Sequence, residues 1–179
     1  MKPITSLKNI KNEYIKRILA NIIGKDVMKI LQLTPVQLKR AIAGLSDEQL
    51  RTSPLPGKWS IAQIVTHISD AEVTFAYRLR MVVAQPGSPL QAYDENAWAA
   101  KLGYDKADCL QKLGLFSVLR SDHVKLLKSL SAKQWKQFGI HQERGKETVE
   151  RIAQMFAGHD VNHVKQIQNI RKQLLKKNK

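Results

Sequence analysis

The segment "VERIAQMFAGHDVNHVKQI", residues 149–167, decides the fold. Val149, Ile152, Phe156 and Ile167 recur in steps of three and four, His159 and His163 fall on the same stripe, and the stripe continues to Ile170 and Leu174. That period is one face of an α-helix, predicted here over about residues 147–175. Imidazoles are awkward core residues, so two of them on the inward stripe, one turn apart, call for a partner. Side chains four positions apart on a helix lie about 5–6 Å apart, which lets such a pair offer two nitrogens to one metal ion.

Helical period recurs outward from this segment. In "LKNIKNEYIKRILANII", apolar residues at 7, 10, 14, 15, 18, 19 and 22 give one apolar face, and the segment reads as a helix strapping the rest. "LTPVQLKRAIAGL" reads as a helix with Thr34 as N-cap, Pro35 at the first helical position and Gly44 as its stop, followed by a short "SDEQL" turn. Past the connector "SPLPGKWS", Ser60 caps a long helix over about 60–84 whose seam is Ile61, Ile64, Ile68, Ala71, Phe75, Leu79 and Val82. "QPGSPLQAYD" reads as a loop, with Asp94 able to cap a short helix containing Trp98. A third long helix over about 105–130 carries Leu110, Leu113, Val118, Val124, Leu127 and Leu130, and "QFGIHQERGKE" reads as a loop. Alternating β-branched runs are nearly absent. The fold class is therefore all-α: a four-helix bundle, up-down-up-down by the simplest linkage, with an additional N-terminal helix. The corresponding division is an N-terminal helical extension at 1–33, the bundle at 34–175 and a basic tail at 176–179.

Composition excludes several classes. The 179 residues are 43% hydrophobic and 25% charged, ordinary for one globular domain. The lone Cys109 rules out an internal disulfide, no signal-peptide pattern opens the chain, and no apolar run is long enough to cross a membrane. A cytoplasmic location follows as the expectation. The net charge of +15 sits mainly at the ends: residues 1–33 hold seven basic residues against two acids, residues 164–179 six against none, and residues 34–163 seventeen against thirteen. With a balanced middle and no aromatic interleaving, the pattern argues against sequence-specific nucleic-acid binding and for a solvated basic skin.

A third metal ligand must come from another helix, and His67, three after Ile64 and four before Ala71, is the candidate. Were the second and fourth bundle helices parallel, His67 and the pair would differ in level by roughly 10 Å before any stagger. Three imidazoles suit Zn, Ni, Fe or Cu and leave room for water or substrate. His141 sits in the loop ahead of the last helix, where it can lean over a site mouth. Arg78 shares the His67 face and is placed to anchor an anionic group or to pair with Asp70 or Glu72. Asp160 is rotated about 100° from His159 and so is not expected to be a ligand. His123 reads as a surface residue, Trp59, Trp98 and Trp135 as packing or end-cap residues, and Cys109 as a small core residue.

"PGKWSIAQIVTHISDAEVTFAYRLR", "YDENAWA" and "HQERGKETVERIAQMFAGHDVNHVKQI" together resemble the DinB-like superfamily, in particular its YfiT-like branch of metal-dependent hydrolases, over about residues 34–172. The resemblance implies an up-down-down-up bundle in place of the simpler topology. It also implies a metal triad of one histidine on the second helix and two on the fourth, matching His67, His159 and His163, with nickel or zinc as the usual ion. Some members resemble transferases of low-molecular-weight thiols. The reading is thus a metal-dependent enzyme acting on a small molecule, either by hydrolysis with metal-bound water or by transfer of a low-molecular-weight thiol. A thiol cofactor would want a cation such as Arg78 or Arg144, whereas hydrolysis wants a general base such as Glu143 or Asp70. The alternative is a non-enzymatic basic bundle docking an acidic partner or nucleic acid. Bundles of this size often pair through an exposed apolar face, so a homodimer is included.

Overall fold

Side-chain caps set where the helices begin. Asn12, Asp26, Ser46, Ser60, Asp94, Asp108 and Ser131 each accept a hydrogen bond from a first-turn N–H, as an N-cap does. The computed structural model describes residues 3–177, which run α1 (Glu13–Ala20), α2 (Val27–Ile42), α3 (Asp47–Arg51), α4 (Ile61–Ala84), β1 (Pro89–Leu90), α5 (Glu95–Lys101), α6 (Cys109–Ser129), α7 (Ala132–Trp135), β2 (Phe138–His141), β3 (Gly145–Thr148) and α8 (Val149–Lys177). The stretch expected as a basic tail begins inside α8, and residues 178–179 lie outside the described residues.

The second helix starts seven residues before the expected Thr34 cap, because Asp26 caps it and Pro35 lies in its interior. Proline there leaves the carbonyl of Leu31 without its helical donor. The Arg120 guanidinium donates to that carbonyl at 3.3 Å, and the Thr34 hydroxyl donates to the carbonyl of Ile30 at 2.9 Å.

The bundle is up-down-down-up. One core cluster joins the start of α4 (Ile61, Ile64, Ile68) to the start of α6 (Cys109, Leu113, Phe116), the end of α2 (Leu38, Ile42) and the later part of α8 (Val164, Ile167, Ile170). A second joins the end of α4 (Phe75, Leu79, Val82) to the end of α6 (Val124, Leu127) and the starts of α2 (Val27, Leu31) and α8 (Val149, Ile152). So α4 and α6 run parallel, both antiparallel to α2 and α8, and α2 packs on α8 and α6 while α4 packs on α6 and α8. The up-down-up-down expectation fails because the excursion through α5 returns the chain to the end of the bundle where α4 began. The level difference computed for parallel helices disappears with it.

Two readings of α6 are corrected. Leu110 and Val118 are exposed, and the inward stripe runs Cys109, Leu113, Phe116, Arg120, His123, Val124 and Leu127. His123, expected at the surface, is fully buried, its Nδ1 lying 2.6 Å from Oε1 of Glu72. Strands also form: β2 and β3 make an antiparallel hairpin, and β1 pairs parallel to β2 with Leu90 opposite His141. Gly139 permits that approach, since a Cβ there would stand 2.8 Å from Leu90 Cγ and 2.9 Å from the Ser88 carbonyl oxygen.

The strap α1 crosses α8 at Gly158, where a Cβ would meet the carbonyl oxygen of Ile18 at 2.5 Å and its Cγ2 at 2.8 Å. Alanine would gain about 1 kcal/mol in helix propensity. It would also push a backbone carbonyl that no rotamer change can move, an overpacking cost of about 1–3 kcal/mol. Gly158→Ala is therefore expected to lower the urea midpoint. A raised midpoint would mean that α1 does not sit on α8.

Candidate metal centre

His67 lies in the second turn of α4, whose start is fixed by a reciprocal cap between Ser60 and Gln63. Its ring packs against Trp59 with centroids 5.0 Å apart. His159 and His163 face it from α8, one turn apart, and Phe75 of α4 stacks on Phe156 of α8 at 4.2 Å, holding the two helices together at the next level. One nitrogen from each of the three imidazoles falls within 4.8 Å of the other two, and His67 Nε2 stands 2.9 Å from His159 Nε2. The Nδ1 of His163 lies 3.0 Å from Oε1 of Gln166, an oxygen that can only accept. That fixes the proton on Nδ1 and leaves Nε2 free as a lone-pair donor.

Burial, then the neighbouring His163, pushes His67 down to about 3. Burial also pushes His163 down to about 4 and lowers His159, with His163, His67 and Arg120 adding to the shift. All three rings are thus neutral at neutral pH, the state in which imidazole binds a metal. Three neutral, convergent nitrogens fit the donor set of a divalent metal ion.

A cavity of about 290 Å³ adjoins His159. The hairpin delivers His141, Glu143 and Arg144 to it, α4 delivers Arg78, and the segment after β1 delivers Tyr93. The structure therefore brings Arg78, His141 and Glu143 together around a cavity that His159 also lines. Asp70 is elsewhere: it does not line the cavity, and its Oδ1 accepts from Lys112 Nζ at 2.8 Å. Arg78 pairs with neither Asp70 nor Glu72, since Glu72 is taken by Arg120 and His123. Asp160 turns away from the triad onto Arg120. Cys109 is a buried free thiol pushed up to about 11, chiefly by burial, which makes it a poor nucleophile.

Sequence reasoning did not find the walls of this cavity. Asn12 and Tyr14 of the N-terminal strap, Tyr93, Met155 and Phe156 all line it. Tyr14 was counted on the apolar face of the strap, but nothing in the sequence showed that this face reaches the cavity. The basic surface is also partly structural. Lys25, Arg40, Lys165 and Arg171 line a groove between α2 and α8, yet Arg171 Nη1 is already committed to the carbonyls of Ala41 at 3.0 Å and Ala43 at 2.6 Å, at the C-terminus of α2. Among the described residues no helix is long and apolar enough to cross a membrane.

Residues 30–167 match the family model described as the DinB superfamily. YfiT of Bacillus subtilis, a proposed metal-dependent hydrolase, is 26% identical over 149 residues, covering 82% of this chain and 83% of that protein. A proposed metal-dependent hydrolase of Bacillus mycoides is 28% identical over 161 residues, covering 90% and 92%. The solved structure of Bacillus subtilis YfiT, noted for an unusual four-helix bundle topology, superposes with a TM-score of 0.78 at 22% identity, covering 96% of this chain and 94% of that one.

Proposed function

The chain belongs to the DinB superfamily, and on that premise we propose that it is a metal-dependent hydrolase of a small molecule, with His67, His159 and His163 as ligands of one divalent ion, nickel or zinc. The observation that carries this reading is the convergence of three neutral imidazoles, one of which, His159, lines a cavity of about 290 Å³, a volume at the small end of ligand pockets. When bound, such an ion supplies Lewis acidity and an activated water.

The remaining work falls to the chain's own side chains. Gln166 holds the His163 tautomer, and Trp59 packs the His67 ring. Phe156 and Met155 form an apolar wall that limits water beside His159. Glu143, exposed on the hairpin at the cavity, has the position for proton transfer, whereas Asp70 is tied to Lys112 outside it. Relatives that are themselves proposed metal-dependent hydrolases support the reaction class.

The test is a panel of small esters and amides incubated with metal-loaded and chelator-stripped protein, with and without an added low-molecular-weight thiol. Hydrolysis lost on chelation and restored by about one equivalent of nickel or zinc is the expected result. Turnover that requires the thiol would replace hydrolysis by thiol transfer through the same three imidazoles. Turnover indifferent to metal would overturn both.

A further inference from the structure

Arg78 is 5% exposed and, among the described residues, has no carboxylate within 4.0 Å. One Nη donates to the carbonyl of Gln91, the guanidinium carbon lies 5.9 Å from the centroid of the Tyr93 ring, and Nε is buried with no hydrogen-bond partner. Arg151 also has a buried Nη1 with no hydrogen-bond partner, but it does not line the cavity, and two other inward arginines are paired. Arg120 is buried against Glu72 and Asp160, and Arg144 is held by both oxygens of Glu147 at 2.7 and 3.1 Å. Arginine keeps its charge in proteins, so burying one without a counter-ion is costly unless something else supplies the anion.

A second unpartnered donor sits nearby. The backbone N–H of Glu143 donates to His141 Nδ1 at 3.2 Å, so the neutral ring carries its proton on Nε2. That Nε2 is buried and has no acceptor. Burial, then the charges of Arg144 and Arg78, push His141 down to about 4, which keeps it a neutral donor at neutral pH. Arg78 and His141 line the same cavity as His159. The two acids that also line it, Glu95 and Glu143, are exposed to water and lie beyond ion-pair distance of Arg78.

We infer that this cavity recognises an oxyanion on the substrate, a carboxylate or a phosphate, with Arg78 as its counter-ion and the Nε2–H of His141 as a second donor. The inference rests on the small-molecule reading above and narrows its substrate class to anions. A planar carboxylate and a phosphate both present two acceptor oxygens to such a donor pair.

The probes are succinate and inorganic phosphate, titrated separately into full-length ¹⁵N-labelled protein, with metal content measured on the same samples. The Arg78 Nε–H and His141 Nε2 resonances are expected to move saturably with one of the anions. Response to succinate alone assigns a carboxylate, and response to phosphate alone a phosphate. Arg78→Gln should weaken that binding at least tenfold with metal content unchanged. Arg78→Lys, which keeps the charge and loses the planar fork, should weaken it less, and it serves where Arg78→Gln does not fold. Binding as tight in Arg78→Gln as in the parent would overturn the inference, as would resonances that neither anion moves. Anion binding that vanishes in His163→Ala without ever moving the Arg78 resonances would also overturn it, by assigning the anion to the metal alone. Protein without metal that still binds the anion at Arg78 would count against the metal reading and leave this one standing.

Discussion

Replacing Arg120 by Met should cost about 3–5 kcal/mol of unfolding free energy, the penalty for removing one partner from a buried charge network. Arg120 is 1% exposed and donates to Glu72 at 2.8 and 2.6 Å, to Asp160, and to the Leu31 carbonyl that Pro35 leaves free. Methionine fills much of the same volume, so the loss is electrostatic rather than a cavity effect. It strands two carboxylates in the centre of the bundle. Burial acts to raise Glu72, but Arg120 and His123 outweigh it and hold the group below the usual carboxylate range. A depressed acid contributes stability that is present above its unfolded pKa and lost as pH falls through its folded pKa. Asp160 has the opposite sign, because burial outweighs Arg120 and raises it. Without the guanidinium both acids rise, so the variant's deficit should be largest at pH 7 and shrink toward pH 5, where the stranded carboxyls take up protons. Urea unfolding of parent and variant at the two pH values measures this directly. Neutralising the acids as well, by Glu72→Gln and Asp160→Asn in the Arg120→Met background, should recover much of the loss. A deficit below about 1 kcal/mol at pH 7 would mean that the network carries no more than an ordinary substitution site.

That network also marks where the sequence stopped being legible. The long helices could be read because their stripes are apolar and their caps are explicit: Ser60 starts α4 and Asp94 starts α5 as expected, and the inward direction of His67, His159 and His163 follows from spacing alone. Helix α6 was misread because two of its inward residues are Arg120 and His123, which any hydrophobicity count assigns to solvent, while Leu110 and Val118 face out. The polar residues are inside because Glu72 and Asp160 arrive from other helices, information that no local window contains. Pro35 misled in the same way. It is a sound N-terminal signal in isolation, and it is tolerated mid-helix because a residue 85 positions away takes over the freed carbonyl. The hairpin was invisible for a different reason, since four-residue strands interrupted by Gly139 show no alternation. Its consequence is functional: this sheet carries His141 to the cavity, so part of the candidate site was named from sequence without the element that places it.

His163→Ala should reduce bound metal from about one equivalent to background, a loss of more than about 100-fold in affinity, since even partners that only orient a ligand are worth about 10–100-fold. The side chain is half-buried and neutral, its Nδ1 is occupied by Gln166, and its Nε2 is the nitrogen left for an ion. Alanine is the best helix former and leaves no charged group unpaired, so α8 should keep its length and the midpoint of unfolding should barely move. That separation of metal loss from stability loss is what distinguishes a ligand from a core residue. Gln166→Ala supplies the graded comparison. It frees the His163 ring to rotate and exchange tautomers without removing the nitrogen, so it should weaken the metal by about 10-fold rather than abolish it. Elemental analysis on dialysed parent and both variants, with circular dichroism to follow folding, reads all three quantities. Full metal content in His163→Ala would place the ion somewhere other than between α4 and α8. Equal losses in the two variants would instead make tautomer control, rather than the third nitrogen itself, the determinant of binding.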